Sequence, residues 1–219
     1  LCKEVNDIDS NLQGTKTVGS NLRSSAAIAQ AEGLDVEESA TPIDNPDAAY
    51  LAATTKIDFS SVPFGTDLPS ISDDDLTVAF SELLNKRGPV PNGWQTWSSP
   101  PFSEDPNPFV LVSPSNTLTM ELSRPVSIFG FEMEPDPFAL ILFKLTFQGN
   151  TLVESITRVV NGNAGARLFA HRGGLIDRVV ITAGTPFAIA QVRYGLRPDL
   201  TFTAALALLI TVILAVILA

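Results

Sequence analysis

Thr117-Leu118-Thr119-Met120-Glu121-Leu122 and, beyond Arg124-Pro125, Ser127-Ile128-Phe129-Gly130-Phe131-Glu132-Met133 are the residues on which the fold turns. Apolar and polar side chains alternate cleanly through the first run, placing Leu118, Met120 and Leu122 on one face of a strand. Phe129, Phe131 and Met133 line one face of the second, and Glu132, Glu134 and Asp136 alternate onto the other. A helix would scatter both sets around its axis, so the period of two decides for β structure.

The same reading extends outward. Phe138 to Phe147 is nearly all apolar and predicts a central strand buried on both faces. Gln148-Gly149-Asn150 predicts a hairpin turn into Leu152 to Val160, and Asn161-Gly162-Asn163 a second turn. Leu175 to Thr182 and Phe187 to Tyr194 complete a set of short strands punctuated at regular spacing. That pattern predicts an all-β, antiparallel sandwich over residues 56–195. Within it, Gly88-Pro89-Val90-Pro91, Ser99-Pro100-Pro101 and Asp105-Pro106-Asn107-Pro108 interrupt the strands, because proline cannot donate to a ladder.

On either side the composition changes. Residues 1–55 are rich in Ser, Asn, Ala and Asp, with Tyr50 the only aromatic, and predict a polar arm with two short helices. One follows Ser24-Ser25; the other follows Asn45-Pro46-Asp47, which supplies a cap and a first-turn proline. Residues 196–219 predict a hydrophobic helix, carried by Phe202, Leu206, Leu209, Ile210, Ile213, Val216 and Ile217. Its apolar length approaches that of a bilayer core. Three readings stand for it: a membrane anchor in contact with lipid, a helix buried among copies in an assembly, or a sorting signal.

Composition narrows the function. The chain has 219 residues, 14 Lys plus Arg against 24 Asp plus Glu, and a net charge of −10, which argues against nucleic acid as a partner. Charge is uneven: 6 basic and 17 acidic residues precede Leu111, and 8 and 7 follow from it onward, so copies could pair head to tail. One Cys excludes an intrachain disulfide framework, and one His removes most metal sites. His171, in His171-Arg172-Gly173-Gly174, reads as a solvent-facing turn residue. Asp73-Asp74-Asp75 reads as a solvated turn guarding a sheet edge.

Ile57-Asp58-Phe59-Ser60-Ser61-Val62-Pro63-Phe64-Gly65-Thr66, with Leu76 to Ser81, Ser127 to Glu132 and the closing Phe187-Ala188-Ile189-Ala190-Gln191-Val192-Arg193-Tyr194-Gly195, resembles the β-sandwich domains of exported PEP-CTERM-type bacterial surface proteins. The resemblance covers residues 56–195 and implies a jelly-roll-like sandwich in an extracellular or cell-surface domain without assigned enzymatic activity. Relatives of this fold hold a structural calcium with acids of the first and last strands. Ser60, Ala190 and Gln191 stand at those places here, so no cofactor is expected. The tail also lacks that family's Pro-Glu-Pro sequence and following basic cluster.

The expectation that follows is a non-enzymatic structural subunit, self-associating through arm and tail into a filament or layer. A membrane-anchored carbohydrate-binding module is the alternative, with Trp94 and Trp97 either stacking on glycan or plugging one end of the sandwich. A glycoside hydrolase using Glu132 and Glu134 is the remote third reading. Cys2 is read as a lipidation site, an intermolecular cross-link or an inert residue.

Overall fold

The computed structural model describes residues 41–150 and 153–197. Ten strands and one short helix follow in order: β1 (Thr41–Ile43), α1 (Ala48–Ala52), β2 (Thr55–Lys56), β3 (Asp67–Ser72), β4 (Thr77–Arg87), β5 (Val110–Ser113), β6 (Thr117–Pro135), β7 (Leu140–Gln148), β8 (Val153–Asn161), β9 (Arg167–Ala183) and β10 (Phe187–Gly195). Every pairing is antiparallel. The all-β expectation therefore holds.

Two long strands make the architecture. β6 and β9 pair along most of their length, but the register shifts between Glu121 and Ile128, around Arg124-Pro125. On β9 the same place is Gly173-Gly174, where φ is +99° and +67°. Glycine tolerates this left-handed backbone without a Cβ clash, so the ribbon can turn a corner there. Before the corner β6 pairs with β4, and the far half of β9 pairs with β7 and on to β8. After it β6 pairs with β10, which carries β5 and β2 on its other side, and the near half of β9 carries β1. The halves form two layers whose inner faces meet: the Phe143 ring of β7 lies 6.0 Å from Phe169 of β9 and 5.8 Å from Phe187 of β10. Leu118, Met120, Phe129, Phe131, Met133, Leu145, Val179 and Ile181 fill the space between them.

Four expectations change. Residues 41–55 belong with the sandwich rather than with an arm: β1 adds to β9, and Tyr50 of α1 is buried against Ile128, Leu168 and Ala170. Within Asn45-Pro46-Asp47 the cap of α1 is Asp47, whose Oδ1 accepts from the Tyr50 amide at 2.8 Å, so Pro46 precedes the cap instead of lying in the first turn. His171 lies inside β9, buried and stacked on Phe147 at 5.4 Å, because the glycines after it bend the strand instead of ending it. Finally, β7 is buried on one face only. Leu140 and Leu142 are 71% and 57% exposed, since β8 continues the sheet beside them and no described residue covers them from above. Leu196 and Arg197, the first residues of the predicted tail helix, are in no helix, and Leu196 packs against the core; the arm before residue 41, the helix after Ser24-Ser25, Cys2 and the tail from residue 198 lie outside the described residues.

Candidate functional site

Glu132 and Glu134 point away from Phe129, Phe131 and Met133, as alternation requires. They are nevertheless 0% and 1% exposed. The Pro-rich segment between β4 and β5 lies over them, and its two indoles supply the donors. Trp97 Nε1 donates to Glu132 Oε2 at 2.7 Å, and Trp94 Nε1 to Glu134 Oε2 at 2.5 Å. Ser103 Oγ and the Glu104 amide complete Glu132 at 2.5 and 2.7 Å; Thr96 Oγ1 completes Glu134 at 2.8 Å. Burial pushes both carboxyls up to about 7, against the pull of these donors toward the ionised form. Alternation puts these acids on the face away from the core, and the lid buries that face. The apolar residues around the two acids, Ala188 and Ala190 of β10 and Val110 of β5, draw the tryptophans down onto the sheet.

This geometry decides what each predicted residue can do. Trp94 and Trp97 are 7% and 9% exposed, with indole N–H groups engaged inward, so they form a lid on the sheet and present no open platform. Glu132 has its oxygens occupied by three donors under that lid, out of reach of a glycosidic oxygen. Glu104 continues the network at the surface, held by Arg193 at 2.6 Å and Lys56 at 2.7 Å, and these cations keep its carboxyl below the usual range despite desolvation. Gly130 has no room for a side chain: a Cβ would stand 2.3 Å from that of Ala170 and 2.6 Å from the Tyr50 hydroxyl.

The open site lies at the rim of this lid. A cleft of about 220 Å³ runs between Arg87 and Phe138, with Trp94 and Glu134 in its floor and Gln95, Thr96 and Asp136 on its walls. Gln95, Asp136 and Phe138 are exposed, Phe138 by 50%. Arg87 is held in place by its Nε donating to Asn85 Oδ1 at 3.1 Å and its Nη1 to the Gly93 carbonyl at 3.3 Å. A second exposed ring, Phe64, lies against Gly93, whose Cβ would stand 2.9 Å from it. Two exposed phenyl rings therefore flank a set of planar or hydroxyl-bearing hydrogen-bonding side chains. The sequence reading missed Phe64, Arg87, Gln95, Thr96 and Phe138. A signal existed for the rings: each follows a proline in a turn, Pro63-Phe64-Gly65 and Pro137-Phe138, where a phenylalanine has little core to enter.

A second cleft, of about 190 Å³, brings Asp58, Ser60, Asp105, Asn107 and Gln191 together where the resemblance places calcium in its relatives. Asp58 is engaged by Ser60 through N and Oγ at 2.8 and 3.1 Å, and Asp105 by the Asn107 amide at 2.8 Å. The adjoining carbonyls of Ser60 and Val62 accept from the ammonium of Lys86, which stands 3.9 Å over the Phe109 ring. Among the described residues no group of three or more metal-ligating acids, histidines or cysteines forms. In the acidic turn, Asp73 accepts from the Asp75 and Leu76 amides through one oxygen and from the Tyr194 hydroxyl through the other, so it ties the β3–β4 turn to β10.

No protein-family model matches the chain, and no curated protein matches it. Among solved structures it is similar to the enzymatically active domain of tailspike protein 4 of bacteriophage CBA120, at 19% identity over 57% of this chain and 20% of that one, with a TM-score of 0.28. The chain thus spans a fifth of the tailspike chain's length. It is also similar to CBM29_1, a family 29 carbohydrate-binding module from Piromyces equi, at 11% identity over 72% of this chain and 91% of that one, with a TM-score of 0.29.

Proposed function

We propose that residues 41–197 form an extracellular, jelly-roll-like carbohydrate-binding module that captures glycan in the cleft between Phe64 and Phe138. The observation that carries this reading is an exposed ring, Phe138, in one cleft with hydrogen-bonding side chains, with a second exposed ring, Phe64, against Gly93 of the cleft lining. A sugar ring offers an apolar face of C–H groups and an equatorial fringe of hydroxyls. Aromatic faces suit the first, and Arg87, Gln95, Thr96 and Asp136 offer donors and acceptors for the second. The buried Trp94–Glu134 bond supports the site by fixing its floor. Placement outside the cell rests on the resemblance to exported surface domains at Ile57 to Thr66 and Phe187 to Gly195.

The test is a glycan array with the purified chain, followed by calorimetric titration with any sugar retained. Phe138→Ala should weaken binding by about tenfold, and Phe138→Trp should preserve it. A silent array, or retention that survives Phe138→Ala combined with Gln95→Ala, overturns the proposal.

A further inference from the structure

β8 ends the path of strands, and among the described residues only β7 pairs with it. It runs nine residues without proline or lysine, and Val153 and Val159 on its outer face are 71% and 53% exposed. Proteins ordinarily shorten, charge or cover such an edge, because its unpaired N–H and C=O groups invite another strand. The charges that β8 does carry, Glu154 and Arg158, share the face of buried Ile156 and Val160.

An antiparallel pair related by a two-fold axis must be centred on one residue or on one peptide unit, and only the former places like-facing side chains opposite one another. Of the possible centres, Ile156 is the one that matches the side chains of β8. Val153 then faces Val159, Glu154 faces Arg158, Ser155 faces Thr157, and Ile156 faces itself. Centring on Thr157 sets Glu154 against Val160 and Ile156 against Arg158, and centring on Arg158 opposes two guanidiniums. Centring on Ser155 sets Glu154 against Ile156. Opposite charges directly across a pair stabilise it, and like charges or a charge on an apolar partner select against it. The Arg158 guanidinium is held in place within its own chain by the Leu168 carbonyl and Asp44 and lies over the Phe169 ring, so Glu154 of a second copy would join Asp44 on it. Leu142 lies beside Val159 within each chain, so the pairing extends an apolar strip from Leu142 through Val159 to Val153 of the second copy.

We propose that the outer edge of β8, which no described residue pairs with, is an interface between two copies of this chain, paired antiparallel about a two-fold axis through Ile156. The occupant is a second copy because the edge is complementary to itself in one register, in both charge and apolar contact. The layer that holds β8 then continues from one copy into the other as one sheet.

The register gives a direct test on the full chain in a Cys2→Ser background. Ser155→Cys on one preparation and Thr157→Cys on another place the two thiols on directly opposed residues, whose Cα separation of about 4.5–5.5 Å admits a disulfide. Both native residues are exposed, so folding is preserved, as circular dichroism will show. Mixing the two in a buffer with oxidised glutathione as the oxidant should give disulfide dimers at least about tenfold faster than either variant alone, because pairing raises the effective thiol concentration. Adding Val153→Lys to both should return the mixture to the rate of the single variants. Equal rates in all three samples, or no dimer in the mixture, overturn the interface, including where sedimentation shows association through some other surface.

Discussion

The outer faces of the two layers invert the usual assignment of residues. On one, β6 presents Glu132 and Glu134, which are 0% and 1% exposed under two tryptophans. On the other, β7 presents Leu140 and Leu142, which are 71% and 57% exposed. Acids sit inside and leucines outside. What differs is coverage: a 22-residue Pro-rich connection between Arg87 and Val110 crosses the first face, while no described residue crosses the second. Burial is thus a property of what lies above a strand face as much as of the side chains on it.

The sharpest way to break this comparison is Glu132→Ala. It strips the acceptor from Trp97 Nε1, Ser103 Oγ and the Glu104 amide in a dry site. Leaving buried donors unpaired should cost about 3 kcal/mol or more in urea unfolding, with Trp emission shifted to the red as the lid loosens. Asp136→Ala, an exposed acid two residues beyond Glu134, should change stability by less than about 0.5 kcal/mol. Equal losses for the two would mean that the lid does not bury Glu132 as described.

An intermediate effect is expected from pH. Both buried carboxyls are pushed up to about 7 from an ordinary value of 4.5, so between those limits the folded chain holds protons that the unfolded chain releases. Their contribution to stability is fully present below pH 4.5 and is lost as pH rises through 7. Thermal midpoints should therefore rise as pH falls from 8 to 5, and Glu134→Gln should flatten the slope. A flat wild-type profile across that range would show that the donors, not desolvation, control both groups. The smallest effect belongs to the other layer. Leu140→Lys should leave the unfolding free energy within about 0.5 kcal/mol of wild type, since so exposed a side chain gives little burial energy to lose.

Much of the fold is legible in the residues themselves. The period of two in Thr117 to Leu122 and again in Phe129 to Met133 requires strands, and the turn residues at Gly149-Asn150 and Asn161-Gly162 set their limits. Alternation also assigned Glu132 and Glu134 to one face without ambiguity. It could not say that the face is roofed. The bond from Trp94 to Glu134 joins residues 40 positions apart, and that from Trp97 to Glu132 spans 35, distances over which no local pattern operates. The cleft is equally non-local: Arg87, Gln95 and Phe138, and Phe64 beside them at Gly93, come from separate turns and strand ends.

By itself, the sequence determined the strand class, the faces and the acidic balance, because backbone sterics and side-chain alternation act between near neighbours. Only the tertiary structure decided which of those faces meet water. It turned β6 and β9 through one corner at Arg124-Pro125 and Gly173-Gly174 and laid the Pro-rich connection over two carboxylates. It left the leucines of β7 and the edge of β8 uncovered by any described residue, because solvent exposure is set by the whole chain's packing and not by any one segment.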